Sequence, residues 1–515
     1  MFFRSFVLLA VCLIGGPVAL AQAPSPTPSP ERSHVERFTT QKERAQQAET
    51  VANSRLATNQ NDANAFNLRA VARLRLGRYA ESYEDLRRAV TLKPDNAEYQ
   101  ANLGYVLWKL GKAQEAISAT RTSLTLNDNN FAAHFQLGRF LLRVGGEEQL
   151  KEAVVNLRRA LELDPRQYDV RIELIGAYRA LGRSAEASGQ LDFLWDSLPS
   201  DARVFYLSAL LATDRGDFNG AIKNFNEAVR RDSTMLDAWR DLGLAFIKLQ
   251  RWSDAAAAFA ELAKRQSDSV EAAYLHALAL FNAGMPADAE TEARRTLRLN
   301  GGASGAHTLL GIILAARGNA NLEAADALSQ AVALDHESFD ANFYLGRVQY
   351  AMKNFAEAVK SLRMAKQLQP HHAEVRFFLG TALEAAGDSN AAMLEYQELA
   401  KSDPDSAMGQ LGLGALLVKQ GKMGEAIVAL QKAIALNPGN FEAHWALGRA
   451  LFLDRRLADA VEALKTAVSL APNRADAHYQ LGLALKRLGR TEEADREFAI
   501  VNRLNTEFRT NTPPK

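Results

Sequence analysis

The sequence contains a single cysteine, Cys12, among its 515 residues. One cysteine cannot form an intrachain disulfide, and a thiolate metal site needs several cysteines. The sequence therefore excludes a disulfide-stabilised fold and a zinc-finger type of site. A chain without thiols after Cys12 is compatible with an oxidising compartment.

The sequence also has no excess of charge of one sign. It contains 61 Lys and Arg against 60 Asp and Glu, a net charge of +1, and it has no run of five like charges. Proteins that bind nucleic acid through the phosphate backbone carry a basic patch or stripe. We therefore expect no nucleic-acid partner.

Long apolar runs are missing, and the strongest candidate is the short segment Phe6–Ile14, which follows Arg4. The segment is too short for a transmembrane helix, and the break Gly15–Pro17 and the sequence Ala19–Ala21 follow it. This order is typical of a cleaved secretory signal, which we place at residues 1–21. Two alternatives stay open: a lipoprotein signal ending at Cys12, and a retained N-terminal anchor.

The signal predicts that the protein is exported, to the periplasm or cell envelope or out of the cell. Contact with a membrane is expected only through the N-terminus, if the signal is retained. The Pro- and Ser-rich stretch at residues 22–33 favours extended, solvated backbone, so we interpret it as a linker. Residues 34–60 have a partly apolar helical face and are predicted to form a helix that covers the first repeat. Residues 509–515 are predicted to be a disordered tail.

The main feature of the sequence is internal repetition. "FAAHFQLGR" (131–139) closely resembles "FDANFYLGR" (339–347) and "FEAHWALGR" (441–449). These phrases belong to a register of 34 residues with two longer intervals, which gives thirteen units over residues 63–508. We number these repeats 1 to 13; they begin at Ala63, Ala97, Phe131, Tyr168, Ala202, Leu236, Val270, Ser304, Phe339, Ala373, Ala407, Phe441 and Ala475.

Each repeat is predicted to form two amphipathic helices. Apolar or small residues recur at positions 4, 7, 8 and 11 and again at positions 20, 24, 27 and 28, which is helical spacing. Position 8 is Gly in nine repeats and position 20 is Ala in twelve, which indicates a close approach of two helix backbones. Proline stops the second helix at position 32 in seven repeats.

This pattern resembles the tetratricopeptide repeat family, and residues 443–472 match its pattern almost throughout. The resemblance implies an all-α fold, a right-handed superhelical solenoid of stacked helix–turn–helix units. It also implies that the first helix of each repeat lines a concave surface. In that family positions 2, 5, 9, 12 and 13 commonly meet partners, which are proteins or peptides.

Motifs for catalysis are absent from the sequence. "GGASG" (301–305) has neither the flanks of a nucleophile elbow nor the lysine of a phosphate loop, and no His-Glu-x-x-His occurs. The four histidines at position 4 are expected to be packed or hydrogen-bonded: His134, His307, His444 and His478. We therefore predict no catalytic residue, no metal and no cofactor.

Positions 5, 9 and 12 lie on one stripe of the first helix, beside the core stripe. In several repeats this stripe combines aromatic side chains with arginine or lysine, the residues that dominate protein interfaces. The alternative is that the aromatics only widen the packing surface and the arginines are solvated. We predict a partner-binding groove centred on repeats 9–13, with a related pair in repeat 3: Phe343, Arg347, Tyr350, Phe377, Trp445, Arg449, Phe452, Tyr479, Lys486, Arg487, Phe135 and Arg139.

The sequence thus predicts a non-enzymatic scaffold or assembly factor of the cell envelope that binds proteins or peptides in its groove. Arrays that this one resembles often serve as accessory subunits of polysaccharide-export, pilus or secretion machines, and this is one alternative. Two further alternatives are an enzyme with an unrecognised site in the groove and a purely structural spacer.

Overall fold

The computed structural model describes residues 31–318 and 321–511, with side chains from residue 41 to residue 506. Within these ranges the chain forms 27 α-helices and no strand. The predicted all-α solenoid class is confirmed, because the helices follow one another as antiparallel hairpins that pack on the hairpins beside them. The predicted signal peptide and the linker up to residue 30 lie outside the described residues.

The chain divides into two compact units, and the division falls within repeat 7, before Pro286. The N-terminal unit holds the first fourteen helices that the structure describes. They are α1 (Glu31–Thr58), α2 (Ala63–Arg75), α3 (Tyr79–Leu92), α4 (Ala97–Lys109), α5 (Ala113–Leu126), α6 (Phe131–Val144), α7 (Glu147–Leu163), α8 (Tyr168–Ala180), α9 (Ser184–Ser197), α10 (Ala202–Asp214), α11 (Phe218–Arg231), α12 (Leu236–Lys248), α13 (Trp252–Arg265) and α14 (Val270–Asn282).

The C-terminal unit begins at Pro286. Its described helices continue the alternation of first and second helices. They are α15 (Pro286–Leu299), α16 (Ser304–Arg317), α17 (Asn321–Leu334), α18 (Phe339–Ala351), α19 (Phe355–Leu368), α20 (Ala373–Ala385), α21 (Ser389–Ser402), α22 (Ala407–Lys419), α23 (Met423–Leu436), α24 (Phe441–Leu453), α25 (Leu457–Leu470), α26 (Ala475–Arg487) and α27 (Thr491–Asn511).

The first helices begin at the residues where the register places the repeat starts. A polar residue before many of these starts explains the sharp boundary. The Asn130 side chain accepts a hydrogen bond from the Ala133 amide at 3.1 Å, and Asn440 caps Ala443 in the same way at 3.0 Å. Such caps satisfy amide groups that have no partner inside the helix.

The core of each repeat lies where the two helix backbones approach closely. A methyl group on Gly448 would lie 2.4 Å from Cγ of Leu464, and one on Gly138 would lie 2.6 Å from Cγ of Leu157. Ala358 and Ala426, at position 20 of repeats 9 and 11, have no exposed surface. Position 8 is glycine because the second helix of the same repeat fills the space of a side chain.

The helix before repeat 1 is longer at its start than the sequence predicted. Helix α1 begins at Glu31, so residues 31–33 are helical and not part of the linker. The reason is that the extended Pro–Ser pattern ends at Pro30, and a glutamate in the first turn favours a helix start. Ala45, Ala52 and Leu56 are buried, whereas Val51 is 53% exposed.

The last helix also extends beyond the predicted boundary. Helix α27 ends at Asn511, so residues 509–511 belong to a helix and not to the predicted tail. Residues 507–511 contain no glycine or proline, and Pro513 is the first residue that cannot continue the ladder. Residues 512–515 lie outside the described residues.

Candidate functional site

The first helices of neighbouring repeats lie side by side. Helix α4 contacts α6, and α6 contacts α8, in the N-terminal unit; helix α24 contacts α26 in the C-terminal unit. Side chains at positions 5, 9 and 12 therefore form neighbouring rows within each unit. We call this surface of each unit the first-helix face.

Repeats 12 and 13 bring six predicted residues onto one part of the first-helix face. The Arg449 guanidinium lies 4.8 Å from the ring centre of Trp445, and that of Arg487 lies 5.4 Å from the ring of Phe452. Tyr479 is 47% exposed, and its ring lies 5.9 Å from that of Phe498. We call this group the C-terminal cluster: Trp445, Arg449, Phe452, Tyr479, Lys486 and Arg487.

The cations of the C-terminal cluster form no ion pair with the described residues. Within residues 41–318 and 321–506, no carboxylate forms an ion pair with Arg449, Lys486 or Arg487. Two of these cations lie instead over aromatic rings, which attract them through the ring quadrupole. The cluster therefore presents three uncompensated positive charges next to apolar ring surface.

Trp445 is not wholly available as a surface residue. One part of the indole packs on the buried side chains of Phe441, Ala467 and Ala477. Its Nε1 is buried and has no hydrogen-bond acceptor among the side chains and backbone that the structure describes. The ring is therefore held by packing on one part and lies under the Arg449 guanidinium on another.

Phe343 corrects the prediction for repeat 9. Its side chain is only 3% exposed, since it packs against Phe339, Tyr344 and Phe378 at ring distances of 5.9, 5.3 and 5.8 Å. A buried ring cannot be a direct partner contact. At Phe343 the alternative applies, namely that the aromatic side chain at position 5 widens the packing surface.

Arg347 is wedged among three aromatic rings. Its guanidinium carbon lies 5.4 Å from the ring of Phe343, 5.5 Å from that of Tyr344 and 4.7 Å from that of Phe378. Burial lowers the pKa of Arg347 from its ordinary value. This arginine is therefore largely committed to contacts within the protein, unlike Arg449.

The two other predicted residues of repeats 9 and 10 are half-buried at the edge of the same core. Tyr350 lies 5.6 Å from the ring of Phe355, and Phe377 lies 5.7 Å from Phe378 and 6.1 Å from Tyr396. Both side chains pack against the buried cluster of Phe343, Leu379 and Tyr396. Both rings therefore take part in the packing of these repeats and leave only part of their surface exposed.

Phe135 and Arg139 lie together on α6 in the N-terminal unit. The Arg139 guanidinium is 5.4 Å from the Phe135 ring, and its Nε donates a hydrogen bond of 3.0 Å to Oε1 of Glu173. Glu173 is buried, and burial raises its pKa, although Arg139 and Arg143 act in the opposite direction. The sequence prediction did not include Glu173, the residue within the protein that pairs with Arg139.

The predicted residues therefore form separate groups and not one continuous site. Repeat 11 lies between the two groups of the C-terminal unit, and its first helix carries Leu411, Ala415 and Val418 at positions 5, 9 and 12. Sequence reasoning missed Glu173 and Phe378, which contact the arginines of the preceding repeats. Both occupy position 6, outside the stripe that the resemblance singles out.

The four histidines of position 4 serve the structure. His134 contacts the Asn156 side chain at 2.8 Å, and His478 contacts Oε2 of Glu497 at 2.5 Å. His307 and His444 each contact a backbone carbonyl at 3.0 Å. In the described part of the chain no group of three or more His, Cys, Asp or Glu residues could hold a metal. None of the described helices combines the length and the hydrophobicity that a membrane span requires.

The chain resembles curated proteins over only part of their length. It is 26% identical over 178 residues to human DnaJ homolog subfamily C member 7, which is 32% of this chain and 35% of that protein. The mouse protein of the same name is 29% identical over 115 residues, 22% of each chain. The chain therefore spans about a third or less of the length of these relatives.

Solved structures with a similar arrangement include the APC/C hetero-tetramer Cut9-Hcn1 and yeast Tom70. Cut9-Hcn1 has a TM-score of 0.45 at 14% identity, covering 86% of this chain and 94% of that one. Tom70 has a TM-score of 0.38 at 14% identity, with 88% and 97% covered. MamA has a TM-score of 0.29 at 25% identity, covering 32% of this chain and 97% of that one.

Family models match the chain along most of the described array. A model described as "Tetratricopeptide repeat" matches residues 206–271, 274–321, 321–373, 352–407, 411–475 and 454–498. Related models of the same repeat match residues 70–111, 97–130 and 146–211. Because the first of these models alone matches more than half of the chain, the chain belongs to the tetratricopeptide repeat family.

Proposed function

We propose that this protein is a non-enzymatic scaffold of thirteen repeats that binds an acidic segment of a partner protein on the C-terminal cluster. The observation that carries the proposal is the set of three cations, Arg449, Lys486 and Arg487, that have no carboxylate partner among the described residues. Arginine can hold a carboxylate through two parallel hydrogen bonds.

The surroundings of these cations favour a peptide over a small anion. Arg449 and Arg487 lie over the rings of Trp445 and Phe452, so positive charge and apolar surface alternate along the first-helix face. Arginine and aromatic side chains contribute most of the binding energy in protein interfaces. A segment that alternates acidic and apolar side chains would match this surface.

The proposed scaffold acts in the cell envelope after export. The support is the order of positive residue, apolar run and small residues in the first 21 positions of the sequence. N-terminal sequencing of the native protein from each cell fraction tests this. A mature N-terminus near Gln22 outside the cytoplasm is expected, and an intact N-terminus in the cytoplasm would contradict the location without affecting the binding proposal.

The binding proposal is tested with a charge-removing variant of the C-terminal cluster, Arg449→Gln combined with Arg487→Gln. A matched control, Lys432→Gln with Lys465→Gln, removes the same charge from exposed positions on the second helices α23 and α25. Partners are captured with each mature protein from envelope extract, and their segments are mapped by cross-linking.

We expect the wild type and the control to retain a partner whose acidic segment cross-links to α24 or α26. The cluster variant should lose this partner while its helix content by circular dichroism stays unchanged. Equal capture by all three proteins, or cross-links only to other helices, would show that these arginines are solvated charges with no binding role.

A further inference from the structure

Helix α1 has the place of a second helix in the repeat register. Ala48 lies 34 residues before Ser82, which is position 20 of repeat 1, and Arg55 lies 34 residues before Ala89, which is position 27. A hairpin would need a turn within this segment, but residues 31–58 contain no glycine or proline and form one continuous helix. The part of the chain that the structure describes therefore begins with half a repeat.

One face of α1 packs on repeat 1 as the second helix of a preceding repeat would. Ala52 and Leu56, at positions 24 and 28, are buried, and α2 is the helix that α1 packs on. Position 28 of repeat 10, Ala400, lies in the same way against the next first helix. A methyl group on Gly409 would be 2.6 Å from the Ala400 nitrogen.

The opposite face of α1 is largely open. Val51 is 53% exposed, Ala48 is half-buried, and Arg55 lies with Val51 along an open groove of about 550 Å³. Ser82 and Ala89, at positions 20 and 27 of repeat 1, have no exposed surface because α2 packs on them. The open positions of α1 are therefore those that a first helix covers in a complete repeat.

The edge of α2 beside this face is open as well. Leu68, at position 6 of repeat 1, is half-buried, whereas Leu207 and Leu275, at position 6 of repeats 5 and 7, are 3% and 2% exposed. Position 6 contacts the first helix of the preceding repeat, as the Phe378 ring contacts Arg347 at 4.7 Å. Leu68 thus lacks the helix that covers its counterparts.

The close approach of paired helices limits the middle of a helix that could fill this space. A methyl group on Gly346, at position 8 of repeat 9, would lie 3.2 Å from the carbonyl oxygen of Ala358, at position 20. Ala48 presents the same position 20 in α1. A helix that packs here in the same way needs a small residue at its position 8.

The charge at one end of this space indicates a second feature of its occupant. Arg75, at position 13 of repeat 1, is exposed and forms no ion pair within residues 41–318 and 321–506. In other repeats position 13 pairs with position 12 of the preceding first helix: Lys419 pairs with Glu384, and Asp214 pairs with Arg179 at 2.5 Å. An acidic side chain at position 12 of the occupant would meet Arg75 in the same way.

A second copy of this chain is poorly suited to supply that helix. Glu384 is the only acidic residue at position 12 of the thirteen repeats, and it already pairs with Lys419. Its helix α20 also packs on α21, so its release would unfold repeat 10. The segment before Gln41 has Arg32, Glu36 and Thr39 where a first helix has apolar or small residues.

We propose that an amphipathic helix of a partner protein completes this half-repeat in the place of a first helix. Its small residue lies on Ala48, its apolar residues contact Val51 and Leu68, and an acidic residue four positions after the small one faces Arg75. We call this surface the N-terminal slot: Ala48, Val51, Arg55, Leu68 and Arg75. The slot lies in the other unit from the C-terminal cluster and does not depend on it.

The probe is a fluorescein-labelled, amidated peptide with the sequence of α20, which combines Gly380 at position 8 with Glu384 at position 12. Fluorescence anisotropy measures its affinity for the full mature protein, and hydrogen exchange locates the bound peptide. Two peptide variants, Gly380→Leu and Glu384→Lys, leave the protein unchanged. The protein variants are Ala48→Leu and Arg75→Glu.

We expect saturable binding of the α20 peptide and slower hydrogen exchange in residues 43–58 of α1. Gly380→Leu in the peptide and Ala48→Leu in the protein should each weaken binding at least tenfold, because leucine is too large for the close contact. Glu384→Lys should weaken binding to the wild type about fivefold, and Arg75→Glu should restore the binding of this peptide.

Two controls separate loss of binding from loss of structure. The variant Ala57→Leu with Arg87→Glu changes exposed residues outside the slot and should bind like the wild type. Exchange of α1 in the free Ala48→Leu protein should equal that of the wild type. If it is faster, the Gly380→Leu peptide decides, since it acts on the unchanged protein.

Several outcomes would overturn the inference. Absence of saturable binding, insensitivity to both leucine substitutions, or protection of other helices but not α1 would show that the slot takes no helix. Failure of Arg75→Glu to restore the Glu384→Lys peptide would exclude a first-helix orientation, and with it the proposal. Concentration-dependent protection of α1 without peptide would assign the slot to a second copy. Protection that is lost on removal of residues 1–21 would assign it to the N-terminal segment of this chain.

Discussion

Arg139 in the N-terminal unit and Arg449 in the C-terminal unit end the same repeated phrase but have different surroundings. Arg139 donates to the buried carboxylate of Glu173, whereas Arg449 lies over Trp445 without an acidic partner among the described residues. Arg347, at the end of the third phrase, is wedged among aromatic rings. Similar local sequence therefore produces three different arginine environments.

One residue that differs between the three environments belongs to the following repeat. Position 6 of that repeat is Glu173 after Arg139, Phe378 after Arg347 and Gln480 after Arg449. The first two contact the arginine directly, as an acceptor and as a ring. The repeated phrase thus fixes the position of the arginine along its helix, and the neighbouring first helix contributes the carboxylate or ring that Arg139 and Arg347 contact.

The largest expected effect is on the local stability of the Arg139 pair. Arg139→Ala leaves the buried Glu173 without its hydrogen-bond donor, which costs about 1–3 kcal/mol. Arg449→Ala removes a cation from a half-exposed ring and costs about 0.5–1 kcal/mol. Hydrogen exchange of peptides from α6–α8 and from α24–α26 measures the two losses separately, as a repeat array opens locally. Equal losses at both arginines would contradict the comparison.

A second prediction transfers the N-terminal arrangement to the C-terminal unit. Gln480→Glu places a carboxylate at the position that Glu173 occupies relative to Arg139. In protein labelled with 5-fluorotryptophan, we expect this carboxylate to compete with an acidic ligand. It should weaken the ¹⁹F response of Trp445 to an acetylated, amidated peptide of six Glu-Gly pairs about fivefold, roughly 1 kcal/mol. Gln480→Met, which is similar in size and uncharged, should bind like the wild type. Unchanged binding by the glutamate variant would show that position 6 does not control Arg449.

A third prediction concerns the pH dependence of stability at Glu173. Burial raises the pKa of this carboxyl above its ordinary value of 4.5. Its protonated form therefore stabilises the fold below pH 4.5, and this contribution is lost as the pH rises through the raised folded pKa. Glu173→Gln removes the titration. The urea midpoint of the variant minus that of the wild type should therefore increase as the pH rises from about 4 to 7. A midpoint difference that shrinks with rising pH would contradict the raised pKa.

The smallest expected effect concerns the turn inside the repeats that carry the phrase. Repeat 3 has Gly145 at a φ of 75° and a ψ of −174°, a region that is open mainly to glycine, whereas repeats 9 and 12 have Lys353 and Arg455 at φ values of 64° and 63°. A side chain at the positive φ of Lys353 or Arg455 is strained by roughly 1–2 kcal/mol, and this strain is partly offset because glycine gains more entropy on unfolding. Lys353→Gly should therefore raise the thermal midpoint slightly, and Gly145→Lys should lower it. Scanning calorimetry measures both, and a lower midpoint for Lys353→Gly would disprove the strain.

Much of the fold could be predicted because every repeat meets the same packing requirement. Glycine at position 8 and alanine at position 20 identify the close contact of two helices, and the helix starts lie where the register places them. The two ends of the array do not follow from the repeat pattern. Helix α1 begins at Glu31 and α27 continues to Asn511, since helix propensity and not the repeat pattern sets those boundaries.

The candidate site was predicted only in part. Positions 5, 9 and 12, together with position 13 of repeat 13, located the C-terminal cluster, in which Arg449 and Arg487 lie over aromatic rings. It wrongly included Phe343 as a surface residue, because the burial of a ring depends on Phe378 and Tyr344, which pack over it from outside the stripe. Whether the remaining residues bind a partner stays a prediction.

The sequence by itself determined the family, the helical hairpin and the place of each arginine along its helix. These properties depend on spacing within one repeat, and spacing can be read directly from the chain. Only the tertiary structure decided which arginines form an ion pair and which lie against aromatic rings, because both depend on contacts with the next repeat. Glu173 accepts a hydrogen bond from Arg139, and the ring of Phe378 lies against Arg347. A charge separated from its partner by more than thirty positions in the chain becomes its neighbour only when the repeats stack.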